Sequence, residues 1–110
     1  MSKNLNKNIT FLIPPAIDGN PPAERTSGCT RVVYATPNIY ELTVVALLEE
    51  KGYSNVQYKD FVYGNETRQD FIDFLKQDNS LVYYIWTVNL SIQNDMLILD
   101  LIREFSPQAY

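Results

Sequence analysis

A short apolar strand that runs directly into two prolines limits the folds open to this chain more than any other feature. The segment Ile9–Ile13 reads ITFLI, and Pro14 and Pro15 end it. Its apolar character on both faces is typical of a buried strand in a parallel sheet. No helical pattern begins before about Asn38, so more than twenty residues connect this strand to the next element, whereas such connections usually take about 2–6 residues. Because open α/β sheets bind ligands at the carboxyl ends of their strands, the long loop predicts a binding site there.

The remainder of the chain alternates between helical and strand patterns. Helices are predicted from about Asn38 to Lys51, from Thr67, and from Ser91 to just before Pro107. Each of the three has apolar residues at helical spacing. The predicted apolar faces are Ile39, Leu42, Val45, Ala46 and Leu48 in the first helix, Phe71, Ile72, Phe74 and Leu75 in the second, and Ile92, Met96, Leu99, Ile102 and Phe105 in the third.

Residues that begin or end helices support these boundaries. Asn38 and Glu41 resemble a capping box, and Thr67 with Asp70 has the same spacing. Gly52 is suited to the left-handed conformation that ends a helix. Ser91 is the expected cap of the third helix.

Two further strands are predicted, Val56–Phe61 and Leu81–Trp86. The second is continuously apolar or aromatic, which favours a central strand covered on both faces. Three strand–helix units predict an α/β fold with a doubly wound parallel sheet, of the flavodoxin-like (Rossmann-like) three-layer α/β/α type. Right-handed crossovers place the second and third strands on opposite sides of the first. The loops after Pro15 and Trp86 then flank the switch point of the sheet, where ligands bind.

We expect a single domain over residues 9–110, preceded by a disordered leader, Met1–Asn8. Tyr110 follows a helix at the point where a fourth strand should begin, and the edge of the apolar third strand would otherwise remain unpaired. The domain is therefore predicted to be incomplete at its C-terminus, as a truncated domain of a longer protein. Coverage of that edge by a partner chain, including a second copy, is the alternative.

Composition excludes several classes of function. The net charge of −4 and the absence of a Lys/Arg cluster argue against nucleic acid as a partner. No apolar run is long enough for a membrane span, and the polar N-terminus does not resemble a signal peptide, so a cytoplasmic protein is expected. The chain has no histidine and one cysteine, Cys29, which exclude histidine-based catalysis and an internal disulfide.

Familiar site motifs are missing from the sequence. Neither GxGxxG nor GxxxxGK[ST] is present, so the standard phosphate-binding loops are absent. Asp60 then fits a solvated strand end better than a ribose-binding acid, and Thr87-Val88 stands where a response-regulator receiver would need its aspartate. Asp18 with Glu24-Arg25 is compatible either with a polar site or with an ordinary solvated loop.

Three segments resemble a known family: ITFLIPP, PPAERTSGCT, and PNIYELTVVALLEEKGYSNVQYKD. The chain is similar to the N-terminal cobalamin-binding domain of cobalamin-dependent radical S-adenosylmethionine proteins, in particular those like the anaerobic magnesium-protoporphyrin IX monomethyl ester oxidative cyclase. The likeness extends over roughly Ile9 to Tyr110. Gly52 through Asp60 matches the family phrase G-Y/H-x-V-x-x-x-D, with one extra residue before Val56.

The resemblance implies a corrinoid at the carboxyl edge of the sheet, in a module that is non-catalytic by itself. Its expected contacts are Pro14, Pro15, Thr87, Val88 and Asn89, and Trp86 or Val88 is expected to shield the lower face of cobalt. The Asp-x-His-x-x-Gly loop of methionine-synthase-type domains is absent, so the chain supplies no imidazole to cobalt.

The resemblance also places S-adenosylmethionine and a [4Fe-4S] cluster in a downstream radical domain of the same polypeptide, whose reaction would be of the oxidative cyclase or methyltransferase type. Two alternatives remain open. One is a flavodoxin-like interaction domain without a cofactor, and the other is a flavin-binding fragment.

Overall fold

A computed structural model describes residues 8–26, 30–32 and 36–110 of the chain. Over these residues the elements are β1 Ile9–Ile13, α1 Ile39–Glu50, β2 Val56–Asp60, α2 Arg68–Gln77, β3 Val82–Ile85 and α3 Ile92–Phe105, with a short 3-10 turn at Asn89–Ser91. The three strands form a fully parallel sheet with the order β2-β1-β3. The α/β class and the strand order predicted from the sequence are confirmed. Residues 1–7 of the predicted leader and Cys29 lie outside the described residues.

The register of the sheet aligns the carboxyl ends of its three strands. Ile13 at the end of β1 lies opposite Asp60 of β2, and Leu12 lies opposite Ile85 of β3. The loops that follow the three strands therefore leave the sheet at one edge, which we call the carboxyl edge.

The core lies on one face of the sheet, under α2 and α3. Phe61 directly follows β2, and its ring meets Phe71 of α2 edge-on at a centroid distance of 5.2 Å. Phe71, Ile72 and Leu75 are buried, as predicted for the second helix, and Phe74 packs against them. The buried members of this core are Leu12, Phe61, Phe71, Ile72, Leu75, Tyr83, Ile98, Leu101, Ile102 and Ala109.

The buried face of α3 differs from the predicted one. Ile92, Met96 and Leu99 are about half exposed, whereas Ile98 and Leu101 are buried. Leucine, isoleucine and methionine occur all around this helix, so periodicity alone does not distinguish the buried side. The side that faces the sheet is the one that also carries Asn94 and Asp95, whose contacts with the β1–α1 loop are described below.

The predicted apolar face of α1 is also wrong in part. Ile39 and Leu42 are exposed, and so is Ala46. The residues of α1 that are buried are Glu41 and Val45. An acidic residue thus occupies the buried side of this helix in place of the expected leucine or isoleucine.

Strand β3 is covered on one face, and the prediction that both faces are covered is wrong for the described residues. Tyr83 is buried in the core, but Val82 and Tyr84 on the opposite face are 37% and 48% exposed. On the outer edge of β3, the N–H of Tyr110 donates to Leu81 O and the N–H of Tyr83 donates to Tyr110 O, both at 2.7 Å. This is the hydrogen-bond pattern of a parallel ladder, with Tyr110 opposite Val82.

Of the three predicted N-terminal caps, Thr67 and Asn38 cap their helices and Ser91 does not. Thr67 and Asp70 form a reciprocal capping box, and Gly52 adopts a φ of +100° after α1. Asn38 caps α1, because its Oδ1 accepts hydrogen bonds from the N–H groups of residues 40 and 41, but Glu41 does not return the bond to Asn38. The Ser91 hydroxyl makes no capping bond to α3 and binds Val88 and Asp95 instead.

Replacing Thr67 with alanine is expected to lower the free energy of unfolding by about 1 kcal/mol, because the N–H of Asp70 loses its acceptor. Urea unfolding measures this change. The control is Thr43→Ala, at an exposed position within α1 where the threonine hydroxyl bonds back to Ile39 O; there alanine should be neutral or slightly stabilising. Equal losses in the two variants would contradict a capping role for Thr67.

Candidate functional site

The loop between β1 and α1 crosses the carboxyl edge and is held there by Asn94 of α3. The Asn94 Nδ2 donates to Pro15 O at 3.0 Å. Its Oδ1 accepts from the N–H groups of Ile17 and Asp18 at 2.6 and 3.1 Å. One buried side-chain amide therefore satisfies three backbone groups directly after the proline pair and fixes the direction in which the loop leaves the sheet.

Farther along the loop, Arg25 forms a buried ion pair with Asp95. Nη1 and Nη2 of Arg25 bind the two carboxylate oxygens of Asp95 at 2.8 and 2.7 Å, and both side chains are less than 10% exposed. Nη1 also donates to Trp86 O at 2.9 Å. Such a forked pair fixes both distance and orientation. Arg25 thus joins the loop after β1 to the end of β3 and to α3, across the switch point of the sheet.

Beside Arg25 lies the buried carboxyl group of Glu41. The side chain is 1% exposed, and neither oxygen has a hydrogen-bond partner of normal geometry among the described residues. The pKa of Glu41 is raised from 4.5 to about 7, chiefly because the carboxyl group is buried; Arg25 and the backbone of Trp86 oppose this rise, and the charge of Asp60 adds to it. Near neutral pH this group is therefore divided between its neutral and charged forms.

On the β2 side, a hydrogen-bonded chain links Asn38 to Asp60 through Tyr58. The N–H of Asn38 donates to Tyr58 Oη, and this hydroxyl donates to Asp60 Oδ2, each at 2.9 Å. Burial first, and then the hydrogen bond to Asp60, raises the pKa of Tyr58, so that the phenol stays protonated. Asp60 Oδ1 accepts from the N–H groups of Val62 and Tyr63. Asp60 is therefore half-buried, and its carboxylate stabilises the turn after β2. It is not the solvated strand end that the sequence predicted.

A cavity of about 40 Å³ lies at this end of the carboxyl edge, between the loop and the ends of β1 and β2. The polar residues that line it are Glu24, Arg25, Thr26, Thr36, Asn38 and Asp60. The Nδ2 of Asn38 is buried and has no hydrogen-bond partner among the described residues. A shallower depression of about 180 Å³ lies between Pro15, Pro22 and the β2–α2 turn. Both volumes lie below the roughly 300–1,000 Å³ of pockets that enclose a drug-sized ligand.

The five residues expected to contact a cofactor lie at two depths. Pro14 and Pro15 are almost completely buried beneath the loop, each less than 2% exposed. Thr87 and Asn89 are exposed and Val88 is half-buried at the surface of the same edge. The structure brings the two loops together through Arg25 and Trp86, but it does not place the five side chains on one surface.

Trp86, expected to shield the lower face of cobalt, has part of its ring covered by a side chain of this protein. Its ring packs against Tyr40 of α1 at a centroid distance of 5.5 Å, and the side chain is half-buried.

Sequence reasoning missed Asn94 and Asp95, and it left Arg25 undecided between a polar site and a solvated loop. Arg25 is in fact 8% exposed. The signal for its partners was present in the helical spacing of α3: Ser91, Asn94 and Asp95 precede Ile98 and Ile102 on the same side. Polar residues at the start of an otherwise apolar stripe indicate that the first turn of a helix contacts something other than core.

Within residues 8–26, 30–32 and 36–110, no three His, Cys, Asp or Glu side chains are grouped so that they could hold a metal ion. No helix in this part of the chain is long and apolar enough to cross a membrane. Comparisons of the chain with protein-family models, curated proteins and solved structures found no match.

Proposed function

We propose that this chain is a corrinoid-binding module that holds cobalamin at the carboxyl edge of its sheet. The observation that supports the proposal is the meeting of the loops after β1 and β3 at the switch point of a parallel sheet with the order β2-β1-β3. Open α/β sheets bind their ligands at this position. In this proposal the fold is the flavodoxin-like three-layer type, and strands that follow residue 110 complete the sheet.

The described residues fit a flat cofactor that rests on the edge rather than one enclosed within it. Thr87, Val88 and Asn89 offer an accessible surface, whereas Pro14 and Pro15 are buried beneath the β1–α1 loop and would not touch the ligand. Because the chain has no histidine, it gives cobalt no imidazole ligand. Bound cobalamin would supply the organometallic chemistry, and the protein would supply position and shielding.

The module acts within a larger radical S-adenosylmethionine enzyme, of the oxidative cyclase or methyltransferase kind, in the cytoplasm. S-adenosylmethionine and the [4Fe-4S] cluster belong to the radical domain that follows in the same polypeptide. That domain is the principal partner of the module, and this part of the proposal rests on the resemblance of residues 9–110 to the family.

Titration with hydroxocobalamin tests the proposal. The visible spectrum of the corrinoid should change and saturate as the protein is added. Thr87→Arg places a long charged side chain on the proposed contact surface and should abolish the change. The control is Ser54→Arg, which adds the same charge at an exposed position that precedes β2 at the opposite edge of the sheet and should leave binding intact.

The outcomes separate the candidate functions. No saturable change with the wild-type protein, or equal binding by both arginine variants, would argue against a corrinoid on this surface. A protein that is yellow as purified, and that loses its colour on denaturation, would indicate a flavin instead.

A second candidate, an interaction domain, is favoured by the exposed apolar side chains on the face opposite the core. Val82 and Tyr84 of β3 and Tyr40 and Val44 of α1 are all 37% or more exposed. Exposed apolar patches of this kind commonly mark protein interfaces. The occupant in this case is a second copy of the chain, which would form a homodimer through the exposed face of β3 and the part of its outer edge beyond the two hydrogen bonds to Tyr110.

A further inference from the structure

We propose that a depression at the amino edge of the sheet, where the strands begin, binds the ammonium group of a small organic amine. Its volume of about 330 Å³ lies at the lower end of the roughly 300–1,000 Å³ typical of ligand pockets. This edge is opposite the carboxyl edge, so the site is separate from the proposed corrinoid surface. The residues that line the depression are Asn8, Ser54, Asn55, Val56, Gln57 and Asp78.

The polar side chains of this depression can be reached from solvent. Ser54, Asn55 and Gln57 are exposed, and Asn8 and Asp78 are half-buried. Asp78 is the one charged side chain among the six lining residues. It forms no ion pair within the part of the chain that the structure describes. A ligand that enters the depression therefore meets a negative charge that no described cation balances.

Hydrogen bonds to the interior orient the Gln57 amide so that its oxygen is offered to a ligand. Gln57 Nε2 donates to Thr10 Oγ1 at 2.8 Å and to Asp78 Oδ1 at 3.1 Å. These two bonds use both N–H groups of the amide. A flipped amide would bring its oxygen against the Asp78 carboxylate, so the orientation is determined. The acceptor Oε1 is therefore the atom of this exposed amide that remains for a ligand.

The Asp78 carboxylate is held in place by three hydrogen bonds and can accept a fourth. Its Oδ1 accepts from Gln57, and its Oδ2 accepts from the N–H of Ser80 at 3.1 Å and from the Tyr83 hydroxyl at 2.6 Å. A carboxylate offers about four acceptor positions, so one remains on Oδ1. Because the Gln57 amide and the Asp78 carboxylate are bonded to each other, an ammonium ion with three N–H donors can bind both.

The carboxyl ends of two helices add to the negative potential at this edge. α1 ends at Glu50, shortly before β2 begins, and α2 ends at Gln77, directly before Asp78. The carboxyl end of a helix carries a partial negative charge, which favours cations and disfavours anions. A ligand with an ammonium group is therefore attracted to the depression, whereas a carboxylate or phosphate is repelled.

The lysines that lie closest in sequence to these helix ends do not occupy the depression. The Nζ of Lys76, in the last turn of α2, lies over the ring of Phe105 at 5.4 Å from its centroid. Lys51, directly after α1, is exposed and is not one of the six lining residues. The cation that binds Asp78 must therefore come with the ligand.

Titration with butylammonium chloride at neutral pH, followed by amide NMR, tests the proposal. The backbone N–H signals of residues 54–57 and 78 should shift saturably. Butanol and butyrate have the same carbon chain without the cationic group, so they should cause no saturable shift. Because charges attract the ligand to a solvent-exposed site, the affinity for butylammonium should fall as salt is added.

Two variants remove the proposed ligand-binding groups, and each has a matched control. Asp78→Asn removes the charge and should abolish saturable binding. Gln57→Leu removes the oxygen acceptor and should weaken binding about tenfold, as expected for one lost hydrogen bond to a charged group. Asp100→Asn and Gln93→Leu make the same changes at exposed positions on α3 and should bind as wild type does. Amide spectra of the variants without ligand check that each one folds.

The outcomes decide both the site and the role of each group. Equal shifts with butylammonium, butanol and butyrate, or no saturable shift with any of them, would overturn the ammonium site. So would binding that persists unchanged in Asp78→Asn, or a loss that is equal in Asp100→Asn. If Asp78→Asn does not fold, Gln57→Leu carries the test, because its side chain is exposed, and unchanged binding in that variant would then overturn the site.

Discussion

Replacing Asp95 with alanine is expected to lower the free energy of unfolding by about 3–5 kcal/mol, the usual cost of leaving one partner of a buried ion pair uncompensated. Asp95 and Arg25 are each less than 10% exposed and are joined by two short hydrogen bonds. Alanine would leave the guanidinium of Arg25 buried beside Trp86 O and Ser91 without its counter-charge. Urea unfolding, followed by far-UV circular dichroism, measures the loss.

Two further variants show whether the lost pair is the cause. In Arg25→Met with Asp95→Leu both charges are removed, and this double variant should recover most of the stability, because apolar replacement of a buried pair is often neutral or better. Glu66→Gln breaks the Lys59–Glu66 pair, whose side chains are about one-third exposed, and should cost no more than about 1 kcal/mol. If Asp95→Ala costs no more than Glu66→Gln, the ion pair does not hold the loop in place.

Much of the fold could be predicted because its signals are local. The strand Ile9–Ile13 ends at the predicted residue, and the Thr67 capping box and the buried face of α2 follow from spacing within one helix. The parallel order β2-β1-β3 follows from right-handed crossovers once three strand–helix units are recognised. These features depend on neighbours in sequence and on chirality, which a single chain reveals.

The candidate site was harder to predict because its contacts join distant parts of the chain. Arg25 and Asp95 are seventy residues apart, and Asn94 is seventy-nine residues from Pro15. A charged residue in a proline-rich loop resembles solvated surface until its partner is known. The double proline did indicate a shaped loop at the correct edge, but its residues are buried under that loop, and the accessible groups come from elsewhere.

Glu41 illustrates the same limit on a helix. The sequence places it at the third position of α1, where an acidic residue favours reciprocal capping with Asn38. The structure turns this side chain inward, toward Arg25 and the end of β3. Local spacing favoured the capping role, and tertiary packing buried the carboxyl group instead.

Burial of Glu41 makes the stability of this protein depend on pH near neutrality. The pKa of this carboxyl group is raised by burial from 4.5 to about 7 in the folded protein, so between these values the folded state binds more protons than the unfolded state. Stability therefore falls as pH rises from about 4.5 through 7, and levels off above. For this one group the loss between pH 5 and pH 8 is up to about 3 kcal/mol.

Glu41→Gln should remove this part of the pH dependence, because glutamine keeps the shape of the protonated acid and does not ionise. At pH 5 the variant should be about as stable as wild type, and at pH 8 it should be more stable by up to about 3 kcal/mol. Glu49→Gln, at an exposed position on the same helix, is the control and should follow the wild-type curve. Urea unfolding at pH 5, 6, 7 and 8 gives the three curves. A constant difference between Glu41→Gln and wild type across this range would mean that Glu41 does not change its ionisation on folding, and that its carboxyl group is better solvated or better paired than its burial beside Arg25 indicates.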